Sequence, residues 1–222
     1  MSFIIQPYDI VRRPYKHSIW RLPIGASANC RPSLALTFDD GPIPEQTPWV
    51  LDTLDRYGVK ATFFCVGDNI RKYPDIFREV INRGHEVGNH TFHHVQLMKT
   101  SWREYVEEIR MCRDEAFRAS GMAQMRLFRA PHGQMLPWRC NELVNGSLGI
   151  ENLVFWDVMP KDYDRRLTPQ EVFNNVKRYV RDGSVIVLHD SVKSNERMRY
   201  TLEATIDWAL ERGWEIRRLL DK

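Results

Sequence analysis

The chain has 222 residues, of which 43% are hydrophobic and 27% charged, and its formal net charge is +3. This length fits one domain with a substantial core, and so small a charge, on scattered basic residues, indicates neither a nucleic-acid partner nor a membrane surface. No apolar run approaches the ~20 residues of a membrane span. The N-terminus lacks the apolar stretch of a signal peptide, so we expect a cytoplasmic protein, with a bacterial secreted or cell-envelope form as the alternative.

The four cysteines have neither the spacing of a zinc finger nor that of a CxxC pair. Cys65 lies in the apolar run ATFFCVG and is predicted to be a small core residue. The positions of Cys30, Cys112 and Cys140 leave both free thiols and disulfides open.

Short apolar runs alternate along the chain with longer amphipathic stretches. Residues 1–30 are expected to be a loosely structured lead-in. Strands are then predicted at 33–38, 59–67, 85–90, 126–131, 153–158, 184–190 and 214–219. Helices are predicted at 47–57, 73–84, 101–121, 168–183 and 195–213. Thr47 and Ser101 are predicted N-caps, and Gly84 and Gly121 predicted C-terminal stops.

Strands that alternate with helices predict a parallel sheet, either open or closed into a barrel. No linker, low-complexity segment or repeat interrupts the pattern, so residues 1–222 are expected to form a single domain. In parallel α/β folds the active site lies at the carboxyl ends of the strands. Five predicted strands are followed there by reactive side chains, namely Asp39 and Asp40, His90 and His94, Arg129, Asp157 and Asp162, and His189 and Asp190.

The segment HTFHH has the spacing of a metal site. Two histidines three or four residues apart can face one ion, which allows His90 to pair with either His93 or His94. Asp39 or Asp40 can add a carboxylate, and two histidines with one carboxylate leave positions open for water and substrate. Imidazole suits zinc, cobalt, nickel or iron. One divalent metal ion is therefore predicted, and the residues leave its identity open among these four.

Asp39 and Asp40 end a predicted strand, where two adjacent side chains diverge and need not share a role. One can bind the metal while the other takes a proton from water on that metal, whose pKa the ion lowers from 15.7 toward about 7. Arg129 is a candidate to orient the aspartate that acts as base.

A hydrolytic reaction also needs a proton for the leaving group. His189 can supply it as general acid. A carboxylate on the other ring nitrogen makes a histidine a better acid, and either Asp162 or Asp190 can provide it.

The motifs TFDDGP, HTFHH, RAPHG, WDVMPKDY and VLHD, in this order, resemble the five motifs of the polysaccharide deacetylase family, carbohydrate esterase family 4. They extend over most of the chain, and TFDDGP is the most specific of them. The resemblance implies a distorted (β/α) barrel of about seven parallel strands. It also implies a metal-dependent hydrolase that removes acetyl groups from an N-acetylated or O-acetylated glycan or oligosaccharide.

Transferred residue by residue, the resemblance assigns Asp39 as the catalytic base and Arg129 as the residue that orients it. Asp40, His90 and His94 correspond to the metal ligands, usually of zinc. The histidine before His94 then occupies a variable position of the motif.

The resemblance also assigns His189 as the catalytic acid and Asp162 as the acidic residue that tunes it. Leu188 corresponds to the residue that lines the acetyl pocket, and Pro131 and His132 lie in the loop expected to bind substrate. A backbone N–H near His132, together with the metal, is expected to stabilise the tetrahedral oxyanion.

The chain departs from the family pattern at three positions. The fourth motif usually reads Asp-x-x-Asp-Trp, but here Met159 replaces the first aspartate and Tyr163 replaces the tryptophan. The third motif often has an aromatic residue where His132 stands. We expect these changes to alter substrate preference more than activity. Tyr163, Trp138 and Phe92 are candidates to stack on sugar rings.

Three other functions are compatible with parts of this pattern. A related barrel can hydrolyse a small amide or cyclic ureide, and a silent relative can bind carbohydrate without turning it over. The complete set of candidate residues argues against a silent relative. A structural zinc site would need four protein ligands, and only three can be named here.

Overall fold

The computed structural model describes residues 5–23, 31–121 and 125–221. Its strands are β1 (Ser18–Ile19), β2 (Ser33–Asp39), β3 (Thr62–Cys65), β4 (Glu86–Asn89), β5 (Leu127–Phe128), β6 (Asn152–Val154), β7 (Ser184–His189) and β8 (Glu215–Ile216). Its helices are α1 (Asp9–Arg12), α2 (Gln46–Arg56), α3 (Gly67–Lys72), α4 (Pro74–Asn82), α5 (Trp102–Ser120), α6 (Pro137–Val144), α7 (Pro169–Tyr179) and α8 (Asn195–Glu211). Within these ranges, no helix combines the length and apolar character needed to cross a membrane.

Seven strands form one parallel sheet in the order β1-β6-β5-β4-β3-β2-β7, and β8 pairs in parallel with the first residues of β2. The two edges of this sheet approach each other, because Arg21, just after β1, forms a bridge with Ser184 of β7. Val158, which follows β6, forms a second bridge with Ile186 of β7. The sheet is therefore curled into a distorted barrel, and the predicted fold class is confirmed.

Strand side chains alternate between the inside of the barrel and the layer beneath the helices. A buried inner cluster contains residues of five strands, namely Ala35, Phe64, Leu127, Val154 and Val185. Leu36 follows Ala35 in β2, and Ile186 follows Val185 in β7. Both pack instead in an outer cluster, the layer beneath the helices. Because alternate residues share a face, Asp39 and His189 continue the inner rows of β2 and β7.

Two long helices begin at the capping signals that the sequence contains. Ser101 accepts a hydrogen bond from the backbone N–H of Glu104, whose side chain returns to Ser101, and Gly121 ends α5 with a φ of 69°. Thr168 and Glu171 form the same reciprocal cap on α7. Such caps satisfy backbone groups that the first turn of a helix leaves free. The prediction of Ser101 as an N-cap is confirmed.

The prediction that Thr47 is the N-cap of α2 is wrong. Helix α2 begins one residue earlier, at Gln46, and follows Glu45. The Thr47 hydroxyl instead accepts a hydrogen bond from the backbone N–H of Ile43 at 2.8 Å and donates one to Asp190 at 2.5 Å. This threonine therefore ties the start of α2 to the end of β7 rather than capping the helix.

The sequence analysis missed α3, α6 and the structure of the lead-in. Residues 5–23 contain α1 and β1 rather than the loose segment expected, and β1 pairs in parallel with β6. The rest of the lead-in, residues 1–4 and 24–30, lies outside the described residues, and this includes Cys30. Cys65 is buried as predicted, and it is a free thiol like Cys112 and Cys140.

Asp157 anchors the lead-in to the barrel. Its fully buried carboxylate accepts hydrogen bonds from Arg12 at 2.6 Å, from Arg181 at 2.8 Å and from Ser184 at 2.7 Å. Burial by itself raises the pKa of Asp157, but these hydrogen bonds and charges outweigh it and hold the pKa below its usual value. Asp157 is therefore a structural carboxylate and does not join the other strand-end residues in the cleft described below.

We expect Asp157→Asn to destabilise the protein by about 3 kcal/mol, because it removes the closer of the two carboxylates that pair with Arg12, whose side chain is only 9% exposed. The loss should be greatest near neutral pH and shrink in acid, since a depressed carboxyl pKa contributes stability only while the group is ionised. Urea unfolding at several pH values measures both effects. Glu203→Gln, which breaks an exposed pair with Arg56, is the control and should cost less than about 1 kcal/mol. Equal losses in the two variants would refute the anchoring role.

Candidate active site

The carboxyl ends of four strands meet at one cleft of about 230 Å³. Asp39 ends β2 and His189 ends β7. His90 directly follows β4, and Arg129 directly follows β5. Further lining residues are Asp40, His94, Ala130, His132, Gly133, Trp156, Met159, Tyr163, Ser191 and Lys193. The fold thus brings together side chains that the sequence places at separate strand ends.

A tight turn after β2 separates the two adjacent aspartates. Asp40 has a φ of 84°, and the backbone N–H of Gly41 donates to Asp190 at 3.0 Å. A Cβ on Gly41 would lie 2.2 Å from the Asp190 carboxylate. Only glycine therefore fits at this position of the TFDDGP motif. Asp190 is committed to this turn, so it is not the carboxylate that orients His189.

Asp39 is held by a buried ion pair. Arg129 donates to Asp39 Oδ1 at 2.6 Å and to the Thr37 hydroxyl at 2.9 Å, while its other nitrogens reach the carbonyls of Val154 and Phe155. Burial by itself raises the pKa of Asp39, but the charge of Arg129 and lesser contributions outweigh it, so the pKa is lowered. Asp39 is thus kept ionised, and its second oxygen is left facing the cleft, 3.9 Å from His90 Nε2.

Asp40, His90 and His94 form a cluster of potential metal ligands. One nitrogen or oxygen atom from each lies within 4.8 Å of the others, and His94 Nε2 is 3.3 Å from Asp40 Oδ1. His90 Nδ1 lies 2.8 Å from the carbonyl oxygen of Arg129, which requires Nδ1 to carry the proton. Because burial lowers the pKa of His90 to about 4, the ring is neutral and its Nε2 lone pair is free for an ion.

The alternative ligand His93 faces away from this cluster. Its ring nitrogen lies 2.8 Å from Glu108 of α5, and its backbone N–H donates to the same carboxylate at 2.7 Å. Half of the His93 side chain is exposed. Of the two spacings that the sequence allowed, the geometry selects His90 with His94.

His189 and Asp162 form the second charged pair of the site. Asp162, fully buried, accepts a hydrogen bond from the backbone N–H of His189 at 2.7 Å and one from Nδ1 at 2.8 Å. Burial by itself lowers the pKa of His189, but the charge and hydrogen bond of Asp162 prevail and raise it to about 10. His189 is therefore protonated over the neutral range, with its Nε2–H free for the cleft.

Replacing Asp162 with asparagine should move the alkaline limb of any His189-dependent activity to lower pH by about 1 to 3 units. The native pair also stabilises the fold fully below the unfolded histidine pKa of about 6.5, and this stabilisation is lost as pH rises through about 10. The pH profile of kcat/KM tests the shift of the alkaline limb. The pH profile of thermal unfolding tests the stabilisation by the pair. Asp164→Asn, which removes a surface partner of Arg166, should leave the limb in place. An unmoved limb in Asp162→Asn would contradict this role.

Two of the four predicted substrate-binding residues line the cleft and two do not. His132 and Tyr163 contribute to its wall, and the His132 ring lies 4.7 Å from that of His94. Pro131 is buried and is not among the residues that line the cleft. Leu188 is fully buried in the outer cluster, because its side chain leaves β7 on the face opposite to His189. The structure therefore does not place Leu188 in a pocket open to this cleft.

The structure also adds residues that the sequence analysis missed. Trp156, Ser191 and Lys193 line the cleft. Ser191 and Lys193 lie within three residues of the end of the VLHD motif. This closeness to a site motif is the signal by which the sequence could have identified them. Phe92 is buried against α3, and Trp138 is exposed outside the cleft lining, so neither occupies the position of a stacking ring in this cleft.

Comparison with known proteins agrees with this geometry. A family model described as polysaccharide deacetylase matches residues 26–145. The chain is 37% identical over 158 residues to a peptidoglycan-N-acetylglucosamine deacetylase of Bacillus cereus, an alignment that covers 71% of this chain and 56% of that protein. It is 36% identical over 165 residues to a chitooligosaccharide deacetylase of Sinorhizobium fredii, covering 74% and 75%. This barrel with reactive residues at its strand ends belongs to the polysaccharide deacetylase family.

The solved structures lead to the same family. The crystal structure of the peptidoglycan N-acetylglucosamine deacetylase Bc1960, in complex with a hydroxamate-type benzamide, superposes with a TM-score of 0.80 at 30% sequence identity. The superposition covers 96% of this chain and 94% of that one. The chain nevertheless spans only about half the length of the Bacillus cereus relative.

Proposed function

We propose that this chain is a metal-dependent hydrolase that removes acetyl groups from an N-acetylated or O-acetylated glycan or oligosaccharide. The observation that carries the proposal is the position of Asp39: one oxygen is fixed by Arg129, and the other faces the Asp40, His90 and His94 cluster. The named activities of the relatives, on peptidoglycan N-acetylglucosamine and on chitooligosaccharides, support this substrate class.

The donor set fits a divalent metal. Asp40, His90 and His94 would hold it, and two imidazoles with one carboxylate suit zinc first, with cobalt, nickel or iron as alternatives. When bound, such an ion would lower the pKa of a water and polarise the acetyl carbonyl. The cleft is open beyond the three side chains, as a catalytic rather than a structural site requires.

Asp39 acts as the general base in this proposal. Its free oxygen takes the proton of the attacking water, while the Arg129 hydrogen bonds prevent the carboxylate from turning away. Its lowered pKa keeps the base ionised at neutral pH. The two adjacent acids thus have different roles in this proposal: Asp40 lies beside His94, and Asp39 pairs with Arg129.

His189 acts as the general acid. Its Nε2–H gives a proton to the departing sugar nitrogen, or oxygen in the case of an ester, as the bond to the acetyl carbon breaks and acetate forms. Asp162 holds the ring in the orientation that this requires by accepting the hydrogen bond of Nδ1. The turn around His132 lines the cleft, and one of its backbone N–H groups is assigned to the oxyanion.

The experiment that tests the proposal is acetate release from chitooligosaccharides, peptidoglycan fragments, acetylated xylan and small amides. It is run with EDTA and with added zinc or cobalt. Metal-dependent release from a glycan supports the proposal and identifies the substrate class. Turnover of small amides alone, or release from glycans that is unaffected by EDTA with confirmed metal removal, would overturn it.

A further inference from the structure

A second groove, of about 630 Å³, continues the catalytic cleft and shares three lining residues with it. Residues 8–16, 96–103 and 136–139 border this groove, since each segment contributes to its lining. The last two segments also touch each other, because the Arg139 guanidinium lies 4.5 Å from the centroid of the Trp102 ring. We call the surface formed by these three segments the groove face.

The groove face exposes many apolar side chains. Nine large hydrophobic side chains are exposed in the part of the chain that the structure describes. Five of the nine belong to the groove face and are between 45% and 73% exposed, namely Tyr8, Ile10, Val11, Met98 and Trp138. Such clustering is typical of a surface that another molecule or a membrane covers.

The same face concentrates the positive charge of the protein. Its three segments contain six basic residues and one acidic residue, a net charge of +5, whereas the whole chain has +3. The rest of the protein is therefore net negative. Two of the six basic side chains pair with carboxylates. The other four, which have no acidic partner among the described residues, are Arg13, Lys16, Lys99 and Arg103.

Charge and exposed apolar surface together favour one kind of partner. A soluble polyanion would use the charge but would leave the apolar side chains in water, and a second copy of this chain would bring two positive faces together. At a bilayer surface, basic side chains lie near anionic headgroups while aromatic and aliphatic side chains enter the boundary with the acyl chains. Tryptophan and tyrosine in particular favour this boundary.

We propose that the groove face docks onto a lipid bilayer that contains anionic headgroups. Because the groove continues the cleft, docking places the catalytic residues next to the membrane surface. An acetylated glycan held at that surface is then within reach of the cleft, a consequence that rests on the proposed function. Docking itself needs no substrate, so it is tested separately from deacetylation.

The test is sedimentation of the full chain with vesicles of phosphatidylcholine that contain about 30% phosphatidylglycerol. We expect saturable binding to these vesicles, and much weaker binding to phosphatidylcholine alone or at high salt. The double variant Lys16→Gln, Lys99→Gln should bind about 25-fold more weakly, because each basic side chain near such a surface contributes about fivefold. Lys177→Gln, at an exposed position of α7 outside the groove face, is the matched control and should stay within about twofold of the wild type.

The apolar contribution is tested by Ile10→Ser, which should weaken binding about tenfold, and by Leu210→Ser on α8, the control that should not. Quenching of tryptophan fluorescence by lipids brominated on their acyl chains gives a second readout, and we expect less quenching in Trp138→Phe than in the wild type.

Three results would overturn the docking: no binding to the anionic vesicles at low salt, losses in the groove-face variants no larger than in the controls, or equally tight binding to soluble polyglutamate. An oligomer in solution that Ile10→Ser dissociates would also overturn it, because a second copy of the chain would then cover the groove face.

Discussion

Asp39→Asn is expected to lower kcat for acetate release by about 10²- to 10⁴-fold, the range that a positioned general base contributes. Asparagine has the same shape and can still accept the Arg129 hydrogen bond, but it cannot take a proton from water. The proposed metal ligands Asp40, His90 and His94 are unchanged, so we expect the variant to bind metal as the wild type does. Turnover is measured under saturating metal and substrate, and bound metal is determined by elemental analysis.

The same variant should lose stability, because Arg129 is only 2% exposed and would be left without its counter-charge. We expect a loss of about 3 kcal/mol in the free energy of unfolding. Activity is therefore measured at a temperature and denaturant concentration where the variant is folded. Asp55→Asn, on the surface of α2 with Lys60 and Arg83 as partners, is the control for the substitution itself. A folded, metal-loaded Asp39→Asn with near-normal kcat would show that another group is the base.

His94→Ala is expected to lower metal affinity, and with it activity at limiting metal, by at least about 100-fold. Loss of a partner that only orients a ligand already costs 10- to 100-fold, and His94 is assigned as a ligand itself. Its side chain is about one-third exposed, so truncation should leave the core intact. Chelator competition gives the affinity, and the zinc concentration needed to restore acetate release after EDTA gives the functional consequence.

His93→Ala is the matched control, since it removes the adjacent imidazole that faces Glu108. We expect its metal affinity to stay within about twofold of the wild type, because the His93 ring lies against Glu108 and is not part of the Asp40, His90 and His94 cluster. The opposite pattern, with metal lost from His93→Ala and retained by His94→Ala, would mean that the loop after β4 rearranges around the ion. This pair of variants tests the choice between His93 and His94 that spacing alone left open.

Features that depend on neighbours along the chain were predictable. The reciprocal caps at Ser101 and Thr168 involve residues three apart, and the buried runs of β2 and β7 follow from consecutive apolar side chains. Alternation of strands with helices was sufficient to predict a parallel sheet, and the family resemblance implied that the sheet closes into a distorted barrel. The rule for strand ends indicated where Asp39 and His189 would meet. Short elements such as α3 and α6 carry too few periodic residues for the same reasoning to detect them.

By itself, the sequence determined the barrel, the family motifs and the set of residues at the strand ends. Only the tertiary structure decided which partner each of those residues contacts. Asp157 and Asp162 both follow β6, yet one binds Arg12 and the other His189, because their partners come from segments more than twenty residues away. Likewise, the side chains of His94 and His93 face different partners, since the backbone has a positive φ at His94. The physical reason is common to all these cases: a side chain's role depends on contacts between distant segments, which local patterns do not encode.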